Sequence, residues 1–321
     1  MSVTVKQLEL PHAQLAQYGE TDPVALTAVQ DALSALWRAA SEQAQQEHGE
    51  ALARACLWNL VAFHSNPQRP RGDSGGEASR IAQVLRQSTA SVPARVIHLQ
   101  EWRDASAPAP GQEVEAWVST YCLLGQGAPR YVCCEQINLA GYGEKGHSHF
   151  PALVRALLVP DLPVGLLWLD DVPRKGRVLG QLLAMSDRML IDNQHTTDPA
   201  SLTAVHELLR GAATRVADLS WLRLNPLRHL VAEFFDPPER AAQLAHLERI
   251  LIETSPEGRN TGLLLAGWLL SRCGFGQVRS VELGNGGTAR RWQAQGPQGR
   301  SVLLDFLVRD GYGGLDGIFC I

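Results

Sequence analysis

The residues whose types and spacing could do chemistry fall in four places. Two adjacent carboxylates, Asp170 and Asp171, follow the apolar run Val164-Gly165-Leu166-Leu167-Trp168-Leu169. A run without polar alternation reads as a strand covered on both faces in a parallel sheet, and ligands of α/β proteins bind in the crevice beyond such strand ends. The same pair could also be a solvated turn before the next helix. The string Gly72-Asp73-Ser74-Gly75-Gly76 matches the nucleophile signature of chymotrypsin-like proteases. That chemistry needs a His base and an Asp orienter on a two-barrel β scaffold, whereas this string lies between a buried strand and a helix. Its backbone N–H groups could cradle a phosphate, or it could be a surface loop, and it fits neither GxGxxG nor GxxxxGK[ST]. His147-Ser148-His149 offers two imidazoles, which leave a tetrahedral metal site half built, so a helix-start loop and no metal are expected. Finally, Trp221, Arg223 and Arg228 place an aromatic and two guanidiniums in a short stretch, the composition of interface hot spots. The competing reading packs Trp221 between two domains and pairs the arginines with Asp218 and Glu233. The sequence shows no catalytic set and no cofactor fingerprint, so a protein that is not an enzyme and needs no cofactor is expected.

The elements that must hold these residues read as α/β. An amphipathic helix opening at Asp22-Pro23, with Leu26, Val29, Leu33, Leu36, Trp37 and Ala40 on one face, leads through a polar tail to a linker near Gly49. Strands are expected at Cys56–Phe63 and Arg95–Leu99 with a helix over Glu77–Gln87 between them, followed by a hairpin of Val114–Leu123 and Arg130–Leu139. A helix with Phe150, Leu153, Val154, Leu157 and Leu158 on one stripe, and Pro151 in its first turn, precedes the Val164 strand. Then come a helix with Val178, Leu179, Leu182 and Leu183, a strand at Met189–Asp192, and a helix over Pro199–Val216. The remainder reads as a strand at Glu248–Glu253, a helix over Thr261–Cys273 stopped by Gly274, and three strands joined by turns at Asn285-Gly286 and Gly296–Gly299. The expected organisation is an N-terminal helix and linker (1–48), a Rossmann-like mixed-sheet domain (49–217) and a smaller α+β domain (218–321).

At 321 residues two domains are the natural prior. A formal charge of −4 without a basic stripe argues against nucleic acid as a partner. No apolar run reaches the ~18 residues that span a bilayer, and MSVTVKQLEL lacks the build of a signal peptide, so a cytoplasmic protein without a membrane partner is expected. Six scattered cysteines without a CxxC pair should be reduced and mostly buried, and the neighbours Cys133 and Cys134, pointing to opposite faces of a strand, should not bridge each other.

The order of PALVRALLVPDLPVGLLW (Pro151–Trp168), SDRMLID (Ser186–Asp192), DLSWLRLNPLRHLVAEFFD (Asp218–Asp236) and LLLAGWLLSRCGF (Leu263–Phe275) resembles the glucose-6-phosphate dehydrogenase assembly protein family, OpcA. The resemblance covers roughly residues 50 to 275, and its most specific parts are the LLVPDLPV and DLSWLRL-x-PLR blocks. It departs from the family pattern at Arg155-Ala156, where proline is frequent, and at Leu167-Trp168, where a double tryptophan is frequent. The resemblance implies a cytoplasmic, non-catalytic accessory protein that binds the dehydrogenase oligomer and promotes its assembled, active state in the oxidative pentose phosphate pathway. On that reading Trp221, Arg223 and Arg228, and with them Asp170 and Asp171, are candidates for the partner surface. The alternative from the residues alone is an α/β enzyme or binding protein for a nucleotide or sugar phosphate.

Overall fold

The centre of strand Trp58–Asn66 (β3) is apolar on both faces, with Leu60 to Phe63 almost fully buried. Such a segment is stable only where a sheet flanks it on both edges and packing covers both sides. In the computed structural model, which describes residues 15–48, 52–54, 56–66, 81, 84–85, 88–89, 92–124, 131–172, 176–193, 196, 199–211, 215–281, 289–309 and 315–320, β3 has parallel neighbours on both sides. The Gly72–Gly76 string, most of the expected Glu77–Gln87 helix and the Asn285-Gly286 turn lie outside the described residues.

The chain forms two compact units, one of residues 1–191 with 204–216 and one of residues 192–203 with 217–321. In the first, the described strands are β1 (Leu15–Glu20), β2 (Ala53–Arg54), β3, β4 (Ala94–Trp102), β5 (Val114–Leu124), β6 (Tyr131–Tyr142), β7 (Val164–Trp168), β8 (Arg188–Ile191) and β9 (Arg215–Asp218). Their order is β1-β5-β6-β4-β3-β7-β8-β9, with β2 added to β6. Strands β6, β4, β3, β7 and β8 run parallel, whereas β5 and β1 are antiparallel. Counting the parallel strands in chain order from β3, the sequence across the sheet is 3-2-1-4-5, which makes this a Rossmann-like mixed sheet whose order reverses between β3 and β7.

Three local expectations change. Asp22-Pro23 does not start the helix: Val24 N–H instead donates to Ala116 O at 2.8 Å, and helix α1 begins at Val29 and runs to His48. The open edge of β5 offers ladder partners that a local cap cannot match. Helix α1 is not set apart from the sheet, because Val29, Leu33 and Leu36 enter the main core with Ile97, Val118 and Ile137. The helix carrying Phe150 begins earlier than the apolar stripe indicates, and α2 spans Gly143–Leu157. Its start is a close approach of chain to chain. A Cβ on Gly146 would lie 2.4 Å from Glu113 O, one on Gly141 would lie 2.8 Å from the Gly146 carbonyl carbon, and Gly143 has φ +55°. Pro151 therefore sits inside α2, where it leaves the His147 carbonyl without its i+4 donor. Cysteine usage also differs: Cys133 is disulfide-bonded, while Cys56 and Cys273 are free thiols. The backbone register of the hairpin sets Cys133 opposite Cys122, a juxtaposition that sequence spacing does not reveal.

The LLVPDLPV block is the crossover from α2 to β7. Buried Asn59 of β3 accepts from Val159 N at 2.8 Å and donates to Val159 O at 3.0 Å. Arg95 of β4 donates to Leu157 O at 3.1 Å and to Glu135 Oε2 at 2.8 Å, placing a cation at the carboxyl end of α2. Beyond β7 the chain continues through α3 (Arg177–Leu183), β8 and α4 (Pro199–Gly211). The last helix ends short of the expected Val216, since residues 215–218 join the sheet as β9.

The second unit contains α5 (Leu219–Arg223), α6 (Asn225–Phe235), α7 (Pro238–Gln243), β10 (Arg249–Thr254), α8 (Arg259–Arg272), β11 (Gly276–Val281), β12 (Ala289–Gln295), β13 (Ser301–Val308) and β14 (Leu315–Cys320). The strand order is β11-β12-β13-β10-β14, antiparallel except for β10 with β13. Helix α8 lays Leu265, Leu269 and Leu270 on Ile250, Ile252 and Phe306. Gly274 at φ +76° ends it as expected.

The Gly146 contact generates a stability prediction. Gly146→Ala should lower the unfolding free energy by about 2 kcal/mol, because a backbone carbonyl cannot yield as a side chain can. Urea titration of the two proteins measures this, and equal midpoints would show that the turn relaxes freely.

Candidate functional site

The crevice at the order reversal is built from the ends of β3, β4 and β7 and the start of α2. Glu101, near the end of β4, accepts from Arg103 Nη2 at 3.3 Å and from His147 Nδ1 at 3.3 Å. Arg103 also reaches Asp170 Oδ2 at 3.4 Å. His147 is delivered by the glycine-permitted turn into α2 and packs against the rings of Phe63 and Phe150. Phe63 in turn stacks on Trp168 at 4.0 Å between centroids. Burial holds the His147 pKa below the usual value despite the Glu101 charge, so the ring is neutral near pH 7 and donates through Nδ1. Burial likewise pushes the Asp170 carboxyl up, against the pull of the Asp171 N–H and Arg103.

Asp170 and Asp171 thus emerge from β7 where the crevice reading places them. They differ in use. Asp170 caps the following N–H at 2.8 Å and joins Arg103, whereas the Asp171 carbonyl accepts from Trp168 Nε1 at 3.2 Å. A phosphate brought to these described side chains would meet two carboxylates, Glu101 and Asp170, for one guanidinium. Among the described residues no group of three or more His, Cys, Asp or Glu side chains has metal-binding geometry, and His149 is exposed.

On the other face of the same sheet lies a buried polar chain that the sequence reading passed over. His98 Nδ1 donates to Asn138 Oδ1 at 3.2 Å, and His98 Nε2 then accepts from His64 Nδ1 at 3.1 Å. Gln136 donates to the same Asn138 oxygen at 2.6 Å, and the Asn138 amide donates to Ser119 Oγ at 3.4 Å. Loss of water lowers His64 to about 3 and His98 to about 4, so both rings stay neutral; with His98 Nδ1 donating to Asn138, Gln100 Nε2 at 3.4 Å from that nitrogen is a neighbour and not a donor to it. The polar side chains at i and i+2, His98 and Gln100, were the available signal in the sequence.

In the second unit the three residues of the Trp221 block separate. Arg223 makes a two-pronged pair with Asp192, at 2.7 and 2.6 Å, and not with Asp218 or Glu233. Asp218 instead caps α5 by accepting from Ser220 N at 2.8 Å and receives Asn193 Nδ2 at 2.7 Å. Arg228 lies over the Trp221 ring, 3.5 Å from guanidinium carbon to centroid, and donates to the neutral Asn225 Oδ1 at 3.2 Å. Burial and the charge of Arg272 hold the Arg228 pKa below its ordinary value. Trp221 packs on the apolar core of this unit. The outward side of the same two helices carries Leu222, Leu230 and Phe234 at 51, 63 and 54% exposure.

Residues 86–207 match the family described as glucose-6-phosphate dehydrogenase subunit N-terminal domain, and residues 214–310 match the corresponding C-terminal domain. The chain is similar to three proteins named "Putative OxPP cycle protein OpcA". It is 27% identical to that of Synechocystis sp. over 79% of this chain and 53% of the relative. The values are 31% over 63% and 44% for Nostoc punctiforme, and 30% over 75% and 54% for Synechococcus elongatus. The chain spans about half the length of these curated relatives. Among solved structures, it is similar at 11% identity and a TM-score of 0.40 to the WlbA dehydrogenase of Thermus thermophilus, over 78% of this chain and 74% of that one.

Two predictions follow from the geometry. Between pH 6.5 and about 4 the unfolded chain protonates His64 and His98 while the folded chain does not, so their contribution to stability is complete above pH 6.5 and is lost as pH falls. Denaturation midpoints should drop through that window, by up to about 1.4 kcal/mol per pH unit per histidine, and His64→Gln should flatten the profile. An unchanged slope in His64→Gln would refute the buried neutral pair. Separately, Arg223→Ala should cost about 1 kcal/mol by removing the two-pronged pair with Asp192, discounted for the half-exposed arginine. A melting curve superimposable on the parent's would show the pair to be superficial.

Proposed function

Because this chain belongs to the OpcA family of glucose-6-phosphate dehydrogenase assembly proteins, we propose that it serves the oxidative pentose phosphate pathway by binding that dehydrogenase and favouring its assembled, active state, without turning over substrate itself. A regulator of this kind needs differential contact with two states of its partner and no reactive group of its own. A tenfold shift in the partner's equilibrium requires about 1.4 kcal/mol of difference in binding, which one or two well-placed apolar side chains can supply.

The observation that carries the reading is the outward face of α5 and α6. Leu230 and Phe234 stand one turn apart on α6, Leu222 lies on the preceding helix, and all three expose more than half of their surface. Large apolar side chains grouped in this way are what a protein partner covers. Arg240 lies over the Phe234 ring at 4.6 Å and donates to the Phe234 carbonyl, so the ring is held in place before any partner arrives. The crevice with Asp170 supplies a second, polar surface. Its charges are largely matched within it, which suits a structural role better than capture of a sugar phosphate.

The test pairs the chain with glucose-6-phosphate dehydrogenase from the same source and follows both activity and sedimentation. The parent should raise activity and shift the dehydrogenase to a larger species. Leu230→Asp combined with Phe234→Asp should keep the parent's melting temperature, because neither residue is buried, yet need at least tenfold more protein for the same activation. Unaltered activation by the double variant would move the contact surface elsewhere. NADP reduction by the chain alone with glucose 6-phosphate would overturn the accessory reading and favour an enzyme acting on the sugar phosphate.

A further inference from the structure

A cavity of about 460 Å³ opens in the second unit between α6, α8 and the segment that leads into β10. This is within the range of small-molecule sites. Its floor is apolar, formed by Ile250 and Leu269, and Phe235, Leu247 and Trp268 continue the lining. Arg228 of α6 and Arg272 of α8 also line it, and no Asp or Glu does.

The two guanidiniums are the unusual feature. Among the described residues neither Arg228 nor Arg272 has a carboxylate partner, although Arg223, Arg249 and Arg291 of the same unit each have one. Arg272 stands in the last turn of α8, where the helix dipole favours a cation. Arg228 has no such compensation. It is sandwiched against Trp221, has its Nε shut off from water without an acceptor, and feels the repulsion of Arg272. Bringing two like charges together beside apolar surface is unfavourable unless an anion completes the site.

We propose that this cavity binds a small amphipathic anion, with a carboxylate, sulfonate or phosphate head at Arg228 and Arg272 and a ring-bearing apolar body against Phe235 and Trp268. Charge sets the head and the lining sets the body. A fully polar anion would leave the apolar lining wet, and a neutral hydrocarbon would leave both guanidiniums without a counter-charge. The site is separate from the outward face of Leu222, Leu230 and Phe234, so it stands or falls independently of the dehydrogenase reading.

The probe is 8-anilinonaphthalene-1-sulfonate, with N-phenyl-1-naphthylamine as its uncharged counterpart, titrated into the full chain with energy transfer from tryptophan as readout. The sulfonate should bind saturably, one per chain, and at least tenfold more tightly than the amine. Arg272→Ala, at an exposed position, should weaken the sulfonate at least tenfold while leaving the amine unaffected, and Arg272→Lys should restore part of the loss. Should Arg272→Ala melt early, Ala232→Glu serves instead, since Ala232 is exposed on the same lining and an added carboxylate should repel the head. Leu230→Asp should leave binding unchanged. Equal affinity for the charged and uncharged probes, or indifference of the sulfonate to Arg272→Ala and Ala232→Glu, would reduce the cavity to adventitious apolar surface and overturn the proposal. Equal affinity for inorganic sulfate would overturn it from the other side, by showing that the rings contribute nothing.

Discussion

The first unit depends on one close approach, the contact of the end of β6 with the start of α2 through Gly141 and Gly146. Any side chain at either glycine would meet backbone at a distance that no Cβ tolerates. With both free of side chains, the chain can leave the outermost parallel strand of one half of the sheet and cross directly to the other half. Helix α2 then lies on β4 and β6, and its Phe150 meets the ring of Phe63, which stacks on Trp168. The reversal of strand order, the crevice it opens and the position of His147 in that crevice all follow from this turn.

The far end of α2 is fixed by polar groups within the sheet. Asn59 of β3 and Arg95 of β4 are buried, and each bonds backbone at or just beyond the end of α2, Asn59 at Val159 and Arg95 at Leu157. A buried amide or guanidinium is costly unless hydrogen-bonded, so these side chains select one path for the chain there and penalise the rest. The two ends together hold α2 at one height on the sheet. The buried pair His64 and His98 obeys the same rule on the opposite face, where neutral rings bond to each other and to Asn138.

The second unit shows how arginines near one another in sequence acquire different roles. Arg223 and Arg228 lie on successive short helices and look equivalent as residues. Arg223 reaches Asp192, a residue far back in the chain, and becomes architecture. Arg228 stacks on Trp221 and lines a cavity with Arg272, without a carboxylate. The outward side of the same helices is left apolar at Leu222, Leu230 and Phe234. One short block therefore serves the core, a cavity and an open surface, depending on the direction each side chain takes from its helix.

The sequence by itself determined the element types wherever a buried face imposes a period. The apolar stretch Leu60–Phe63 of β3 and the apolar β7, the stripe of α8 closed by Gly274, the hairpin of β5 and β6, and the emergence of Asp170 and Asp171 at a strand end are local consequences of composition and spacing. So is the Rossmann-like mixed sheet followed by a smaller α+β unit, because alternating buried strands and amphipathic helices admit few arrangements. Only the tertiary structure decided the rest. Edge strands β1 and β9 form because a neighbour offers an unpaired ladder, a fact absent from their own residues. The start of α2 at Gly143 depends on a contact with Glu113. The pairing of Arg223 with Asp192, of Glu101 with His147, and the meeting of Arg228 with Arg272 join residues from separate elements. Periodicity reports which face of an element is buried; which charge meets which depends on distances across the fold, and those exist only once the chain has closed on itself.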